Sequence, residues 1–151
     1  TRFLRKVFNE NGFHQSQIMS YSTKFKSSFY GPFREVANST PKGFDRSSYQ
    51  LPVTDRKKAI NSSISNAAQG ANYLMVKPGM TSIDLINDIK KETLLPTGVY
   101  QVSGEFASLQ LLDTNKFGKY QDLLKESLDV FSRARADFII TYGARDIAKY
   151  L

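Results

Sequence analysis

Two lysines, Lys24 and Lys77, each directly follow a short apolar segment of the chain. If these segments are neighbouring strands, both ammonium groups project from the same edge of a sheet. At a separation of about 6 Å and an effective dielectric of about 20, their repulsion is roughly 3 kcal/mol, or about two pKa units. Burial would lower the proton affinity further. Because a neutral lysine attacks ketones and forms a Schiff base, the pair predicts imine chemistry; the alternative for either lysine alone is a solvated surface charge.

Groups that can bind carboxylates occur at two places relative to these lysines. Arg34, Arg46 and Gln50 lie in the long connection after Lys24, where guanidinium groups could hold a carboxylate bidentately. Ser103 and Tyr142 follow two further apolar segments and could bind a second carboxylate through their hydroxyl groups. The alternatives are an ordinary solvated loop for the arginines and core packing for Tyr142.

Four short segments rich in β-branched and aromatic residues are predicted to be strands, at 17–21, 73–76, 98–102 and 138–142. Helical periodicity is found at 57–69, 82–92 and 120–136, and the chain opens in a predicted helix at 1–9. Thr81 and Asp84 are expected to cap the helix at 82–92. Alternating strands and helices, with strands apolar on both faces, predict an α/β fold with a parallel sheet.

Polar groups at the ends of consecutive strands are typical of eight-fold β/α (TIM) barrels. A doubly wound sheet is disfavoured, because no glycine-rich phosphate motif follows any strand. Four βα units make half of such a barrel, so we expect the chain, a single domain over 1–151, to supply the C-terminal half. The connection at about 26–56 is rich in Gly, Pro, Ser and aromatic residues, which favours an active-site lid over a linker.

Composition narrows the classes of function. The formal net charge is +7, but residues 61–151 carry ten basic and ten acidic residues, so the excess lies in the first 60 residues without a dense basic block. No nucleic-acid partner is therefore expected. No apolar run approaches the ~18 residues of a membrane span, and no membrane partner is expected. Cysteine is absent, which excludes thiolate metal sites within the chain.

Six ordered motifs, MSYSTKF, FYGPFRE, FDRSSYQLP, LMVKPGM, YQVSGEF and IITYGA, closely resemble the porphobilinogen synthase (5-aminolevulinate dehydratase) family. The resemblance covers essentially the whole chain. It implies a lyase that condenses two molecules of 5-aminolevulinate into porphobilinogen, with loss of two waters, in tetrapyrrole and haem biosynthesis. A class I aldolase would share the lysine chemistry but needs a single imine site.

The resemblance also implies a role for each candidate residue. Lys77 matches the lysine of the propionate-side substrate, and Lys24 matches that of the acetate-side substrate. The implied acetate-side carboxylate ligands are Arg34, Arg46 and Gln50; the propionate-side pair is Ser103 and Tyr142; the aromatic lining is Phe29, Tyr30, Phe33 and Tyr100.

The family uses no organic cofactor but zinc or magnesium, with ligands mostly outside this chain, and forms homo-oligomers, commonly octamers. Ser62 stands where members with an allosteric magnesium carry a glutamate, which puts that site in doubt. Arg135 stands where the family usually has glycine, so its side chain is costly unless it reaches solvent. The sequence leaves open a cytoplasmic or plastid location. It also leaves open an inactive barrel fragment that serves only as a structural or binding module.

Overall fold

The computed structural model describes residues 1–37 and 48–149, which form a parallel sheet covered by helices. Within these residues the sheet has the strand order β1-β2-β3-β4, and all neighbouring strands are parallel. The strands are β1 (Met19–Lys24), β2 (Tyr73–Lys77), β3 (Thr97–Tyr100) and β4 (Ile139–Ile140). The helices are α1 (Arg2–Glu10), α2 (Gly31–Val36), α3 (Arg56–Ala68), α4 (Ile86–Thr93), α5 (Ser103–Thr114), α6 (Tyr120–Arg133) and α7 (Ala144–Ile147), with 3-10 turns at Ser28–Tyr30 and Met80–Leu85.

This architecture confirms the predicted α/β class, and each predicted strand overlaps an observed one. The strand predicted at 17–21 lies further along the chain, since β1 covers Met19–Lys24 and includes Lys24 itself. The strand predicted at 138–142 is shorter than expected, since β4 covers only Ile139–Ile140 and Tyr142 lies beyond it. Helix α5 was not predicted at all. The predicted N-terminal cap of the helix at 82–92 is wrong. Thr81 and Asp84 lie inside the 3-10 turn, and the residue at the N-terminal end of that turn makes no side-chain cap hydrogen bond.

The main core lies between the sheet and the helices on one of its faces. Leu74 and Val76 of β2 and Val99 of β3 are fully buried and pack with apolar side chains of the surrounding helices. These helix residues include Ile86, Ile89 and Phe131, each also fully buried. Burial of each such side chain contributes about 1.5 to 3 kcal/mol to folding, so the core fixes the strands whose ends carry the candidate site.

Arg135, at the position where the resemblance implies glycine, lies in the turn between α6 and β4 with a φ of 70°. This left-handed conformation favours glycine, because a Cβ there crowds the backbone. The Arg135 side chain is exposed to solvent, and its carbonyl accepts a hydrogen bond of 2.9 Å from Lys90 Nζ. Lys90 also forms a salt bridge with Asp137 at 2.7 Å. These contacts hold the backbone of the turn, while the arginine side chain reaches solvent.

Among the described residues, no helix is long and apolar enough to cross a membrane.

Candidate active site

Lys24 and Lys77 occupy directly opposed positions on neighbouring parallel strands. They are Cα partners in the register of β1 with β2, at the carboxyl end of both strands. Adjacent strands lie about 4.8 Å apart, so the two side chains leave the sheet side by side. Burial and then the nearby charge of Lys24 lower the pKa of Lys77 from 10.5 to about 8. Both causes are the ones expected for two amines sharing one pocket, and a lowered pKa supplies neutral amine near physiological pH.

Tyrosine rings surround the Lys77 amine. Its Nζ lies 4.0 Å from the ring centroid of Tyr100, 5.3 Å from that of Tyr21 and 5.4 Å from that of Tyr30. The Tyr30 hydroxyl donates hydrogen bonds to the carbonyls of Phe25 (2.8 Å) and Lys77 (3.2 Å), which ties the segment after β1 to the end of β2. The lysine is therefore held among apolar ring faces that exclude water while tolerating its charge.

Arg34 and Gln50 face the same cavity and present polar atoms that are buried. Within the described residues, Arg34 Nε and both side-chain amide atoms of Gln50 have no hydrogen-bond partner, and Gln50 is only 5% exposed. The Arg34 guanidinium stacks 5.3 Å from the ring centroid of Tyr30. Buried polar groups are normally hydrogen-bonded, so these two N–H donors and the amide oxygen of Gln50 mark the place where a polar ligand group would be accommodated.

Ser103 begins α5 at the mouth of the cavity and contacts the segment after β1. Its Oγ accepts a 3.1 Å hydrogen bond from the backbone N–H of Phe33. The next residue, Gly104, allows this close approach, since a Cβ there would lie 2.5 Å from the carbonyl oxygen of Phe29. The serine hydroxyl is thus held between α5 and the start of the predicted lid.

Tyr142 lies two residues beyond β4, and the backbone on either side of it is fixed. Thr141 donates to Gln101 Oε1 (2.6 Å) and accepts from the N–H of Gly143 (3.0 Å), while Gln101 itself is fully buried. The Tyr142 ring lies 6.3 Å from that of Tyr100. Burial and hydrogen bonding to Tyr142 raise the pKa of Tyr100 to about 12, so the Tyr100 hydroxyl is neutral at physiological pH.

One cavity gathers most of the residues predicted from the sequence. It is lined by Lys24, Tyr30, Phe33, Arg34, Gln50, Lys77, Tyr100, Ser103 and Tyr142, together with Val102. Phe29 is not among the lining residues; its backbone meets α5 instead. The predicted ligand Arg46 lies outside the described residues, as does part of the predicted lid.

Glu105 was not predicted from the sequence, although its side chain binds backbone groups next to the cavity. Its carboxylate is 2% exposed and accepts hydrogen bonds from the N–H groups of Gly79 (3.2 Å), Met80 (2.8 Å), Thr81 (3.4 Å) and Val102 (2.8 Å). It therefore caps the turn that follows Lys77 and the start of its own helix at once. A glutamate at the third position of a helix is the signal that could have found half of this role.

The resemblance implies a family that uses zinc or magnesium. No group of three or more His, Cys, Asp or Glu side chains in those parts of the chain is arranged to hold a metal ion.

Fold and site together define a β/α-barrel type chain with a paired-amine pocket at the carboxyl ends of its strands. A family model described as delta-aminolevulinic acid dehydratase matches residues 1–150. The chain belongs to the delta-aminolevulinic acid dehydratase family.

Curated relatives with that name are similar over nearly the whole chain. The protein of Helicobacter pylori (strain J99) is 46% identical over 148 residues, which are 98% of this chain and 46% of the relative. The protein of Escherichia coli (strain K12) is 45% identical over 146 residues, covering 97% of this chain and 45% of the relative. The chain thus spans about half the length of the curated relatives it matches.

A solved structure supports the barrel prediction. Delta-aminolevulinic acid dehydratase from Toxoplasma gondii ME49, in complex with the reaction product porphobilinogen, superposes with a TM-score of 0.95 at 35% identity. The match covers 99% of this chain and 43% of the solved one. The prediction that this chain supplies four βα units of a TIM barrel is confirmed.

Proposed function

We propose that the protein carrying this chain is a porphobilinogen synthase, which condenses two molecules of 5-aminolevulinate into porphobilinogen. The observation that carries the proposal is the direct opposition of Lys24 and Lys77 in one cavity with carboxylate-binding groups. Membership in the delta-aminolevulinic acid dehydratase family and the product bound to the Toxoplasma gondii relative support it. The substrate is a keto acid, so two copies require two amines and two anion sites.

Lys77 is proposed to act first as a nucleophile because its pKa is lowered to about 8. At pH 7 roughly a tenth of such a group is neutral, compared with about 0.03% of a lysine with the ordinary value of 10.5. The neutral amine adds to the ketone carbon of one substrate, and loss of water gives a protonated imine. A protonated imine makes its own carbon electrophilic and acidifies the carbon next to it, so one bound substrate can supply the nucleophilic carbon and the other the electrophilic carbon of the new C–C bond.

Lys24 is proposed to bind the second substrate in the same way, one strand spacing from the first. Holding both substrates in register converts a reaction between two molecules into one within a single complex. Overall one C–C and one C–N bond form and two waters are lost, while both lysines return to free amines.

The carboxylates are proposed to set the orientation of the two substrates. Arg34 and Gln50, whose buried atoms lack partners within the described residues, serve the acetate-side carboxylate, together with Arg46. Ser103 and Tyr142, which line the same cavity, serve the propionate-side carboxylate. The lid role of residues 26–56 and a homo-oligomeric assembly, which the resemblance implies, remain predictions.

Imine trapping tests the proposal directly. The full-length protein is incubated with 5-aminolevulinate and borohydride, digested, and mapped by mass spectrometry. Adducts are expected at Lys24 and Lys77 and not at Lys91, which is exposed on α4. Lys77→Met should abolish its own adduct and porphobilinogen formation, whereas the matched Lys91→Met variant should retain both. Absence of an adduct at both cavity lysines would show that the mechanism is wrong.

A further inference from the structure

The register of β1 against β2 contains an irregularity directly before Lys24. Ser20 pairs with Leu74 and Thr23 pairs with Val76, so three steps along β1 match two steps along β2. Strand β1 therefore contains one additional residue at this point, which is a β-bulge.

Side-chain contacts show how the bulge changes the alternation of the strand. Ser20 faces α3, where its hydroxyl donates to Asn66 Oδ1 (2.9 Å), and Tyr21 faces the Lys77 amine. Ser22 and Thr23 are consecutive, yet both hydroxyls contact Ser63 Oγ on α3, at 2.8 and 2.9 Å. Two successive side chains thus point toward the helix, and Lys24 returns to the cavity side.

Regular alternation would give a different result for this sequence. With Ser20 opposite Leu74 and no bulge, Thr23 would stand opposite Lys77 and Lys24 would turn toward α3, since side chains alternate faces with a period of two. The two amines would then lie on opposite sides of the sheet. The paired-lysine pocket therefore depends on this bulge.

The bulge is held by hydroxyl groups of α3. Ser63 is fully buried and contacts both bulge side chains, while Thr23 Oγ1 is also 3.1 Å from the carbonyl oxygen of Ala59. Ser62 donates a 2.6 Å hydrogen bond to the carbonyl of Ser22, a backbone group within the irregular part of the ladder. A buried and satisfied polar cluster of this kind specifies one local arrangement over its alternatives.

We propose that Ser63 is a positioning residue for Lys24, because it holds the bulge that turns Lys24 onto the same face of the sheet as Lys77. Ser62 assists by satisfying the Ser22 carbonyl. Only the expected loss of porphobilinogen formation rests on the proposed function, since the position of Lys24 can be measured without substrate.

The Lys77 amine reports on that position. The charged and titratable groups that face it are Lys24 and Tyr21 from β1, Tyr30 from the 3-10 turn, Arg34 from α2, Tyr100 from β3 and Tyr142 beyond β4. Among these, the charge of Lys24 is the one that lowers the pKa of Lys77, after burial as the larger cause. Rotation of Lys24 away from the cavity should therefore raise the pKa of Lys77.

The test variant is the double substitution Thr23→Val and Ser63→Ala in the full-length protein. It removes two of the three hydroxyls of the buried cluster together, and the Ser22 hydroxyl loses its contact with Ser63 Oγ as well. Competitive labelling with acetic anhydride between about pH 6 and pH 11, followed by peptide mapping, gives the titration midpoint of Lys77. Ser65→Ala is the matched control, because Ser65 is exposed on the same helix.

The parent and the Ser65→Ala control should titrate near 8 at Lys77. In the double variant the midpoint should rise by roughly 0.5 to 1 pH unit, which is less than half of the total lowering, and porphobilinogen formation should fall about 10- to 100-fold. A folded double variant with an unchanged Lys77 midpoint overturns the inference. If the double variant does not fold, Ser62→Ala decides, with a smaller rise supporting the inference and no rise refuting it. Since labelling needs no substrate, this outcome is separate from failure of the imine-trapping experiment.

Discussion

Replacing Glu105 with alanine should loosen the turn after Lys77 and the start of the helix that carries Ser103. The carboxylate joins the two segments through its hydrogen bonds, the shortest of which come from the N–H groups of Met80 and Val102, at 2.8 Å each. Gly79 keeps a second acceptor, the carbonyl of Tyr100 at 2.8 Å, so its N–H is not orphaned by the change. The main loss therefore falls on Met80 and Val102.

The size of the effect follows from those two bonds. Hydrogen bonds to a charged group contribute about 1.5 to 3 kcal/mol each, which gives about 3 to 6 kcal/mol for the pair. Burial raises the pKa of Glu105, so desolvation of the carboxylate offsets part of this gain and the lower end applies. About 3 kcal/mol corresponds to a change of roughly 100-fold in the local opening equilibrium.

Amide hydrogen exchange measures this opening in the full-length protein. Peptides covering 79–82 and 101–104 should exchange about 100-fold faster in Glu105→Ala than in the parent. Glu105→Gln, which keeps one acceptor oxygen, should be intermediate, and the exposed Glu92→Ala on α4 should match the parent. Exchange in Glu105→Ala within about threefold of the parent would refute the role of the carboxylate as a shared cap.

Two further changes test the amine pair and the approach of the predicted lid. Lys24→Met removes one of the two causes that lower the pKa of Lys77, so that pKa should rise above 8 while burial keeps it below 10.5. Less neutral amine is then present at pH 7, and the pH profile of imine trapping at Lys77 should move to higher pH; a profile at the parent position contradicts the coupling. Gly104→Ala places a Cβ 2.5 Å from the carbonyl oxygen of Phe29 and should destabilise by about 1 to 3 kcal/mol and raise KM, read from denaturant unfolding and steady-state kinetics. Gly31→Ala, whose Cβ would meet nothing within 4 Å, is the matched control and should be nearly neutral; equal effects of the two changes would argue against a steric cause.

The sheet and most helices could be predicted from the sequence because their apolar residues follow a clear pattern. Strand β2 and helices α3 and α6 lie close to their predicted bounds. Helix α5 could not be predicted in this way, since Phe106, Leu109, Leu111 and Leu112 do not form one apolar stripe: Leu109 is buried and Leu111 is 61% exposed. The helix packs against α2 and α6, and its own periodicity does not indicate these contacts.

The paired lysines were predictable because two strands end in the same residue type, and parallel strands bring their ends together. The contacts that position these lysines could not be predicted. The Glu105 carboxylate caps a turn 24 to 26 residues earlier in the chain, a contact that no local pattern indicates. The bulge before Lys24 depends on hydroxyl contacts between β1 and α3. The sequence of β1 does not show where its side chains stop alternating between the two faces of the sheet.

The tyrosines around Lys77 have a consequence for the reaction cycle as proposed. Their pKa values are all raised, chiefly by burial, so at physiological pH the rings are neutral and no phenolate neutralises the cation between them. The electron-rich ring faces attract positive charge whichever group carries it. A protonated imine carries that charge over a larger group that binds water less strongly than an ammonium does. If the imine forms at Lys77 as proposed, the same rings are expected to stabilise the covalent adduct more effectively than the resting protonated lysine.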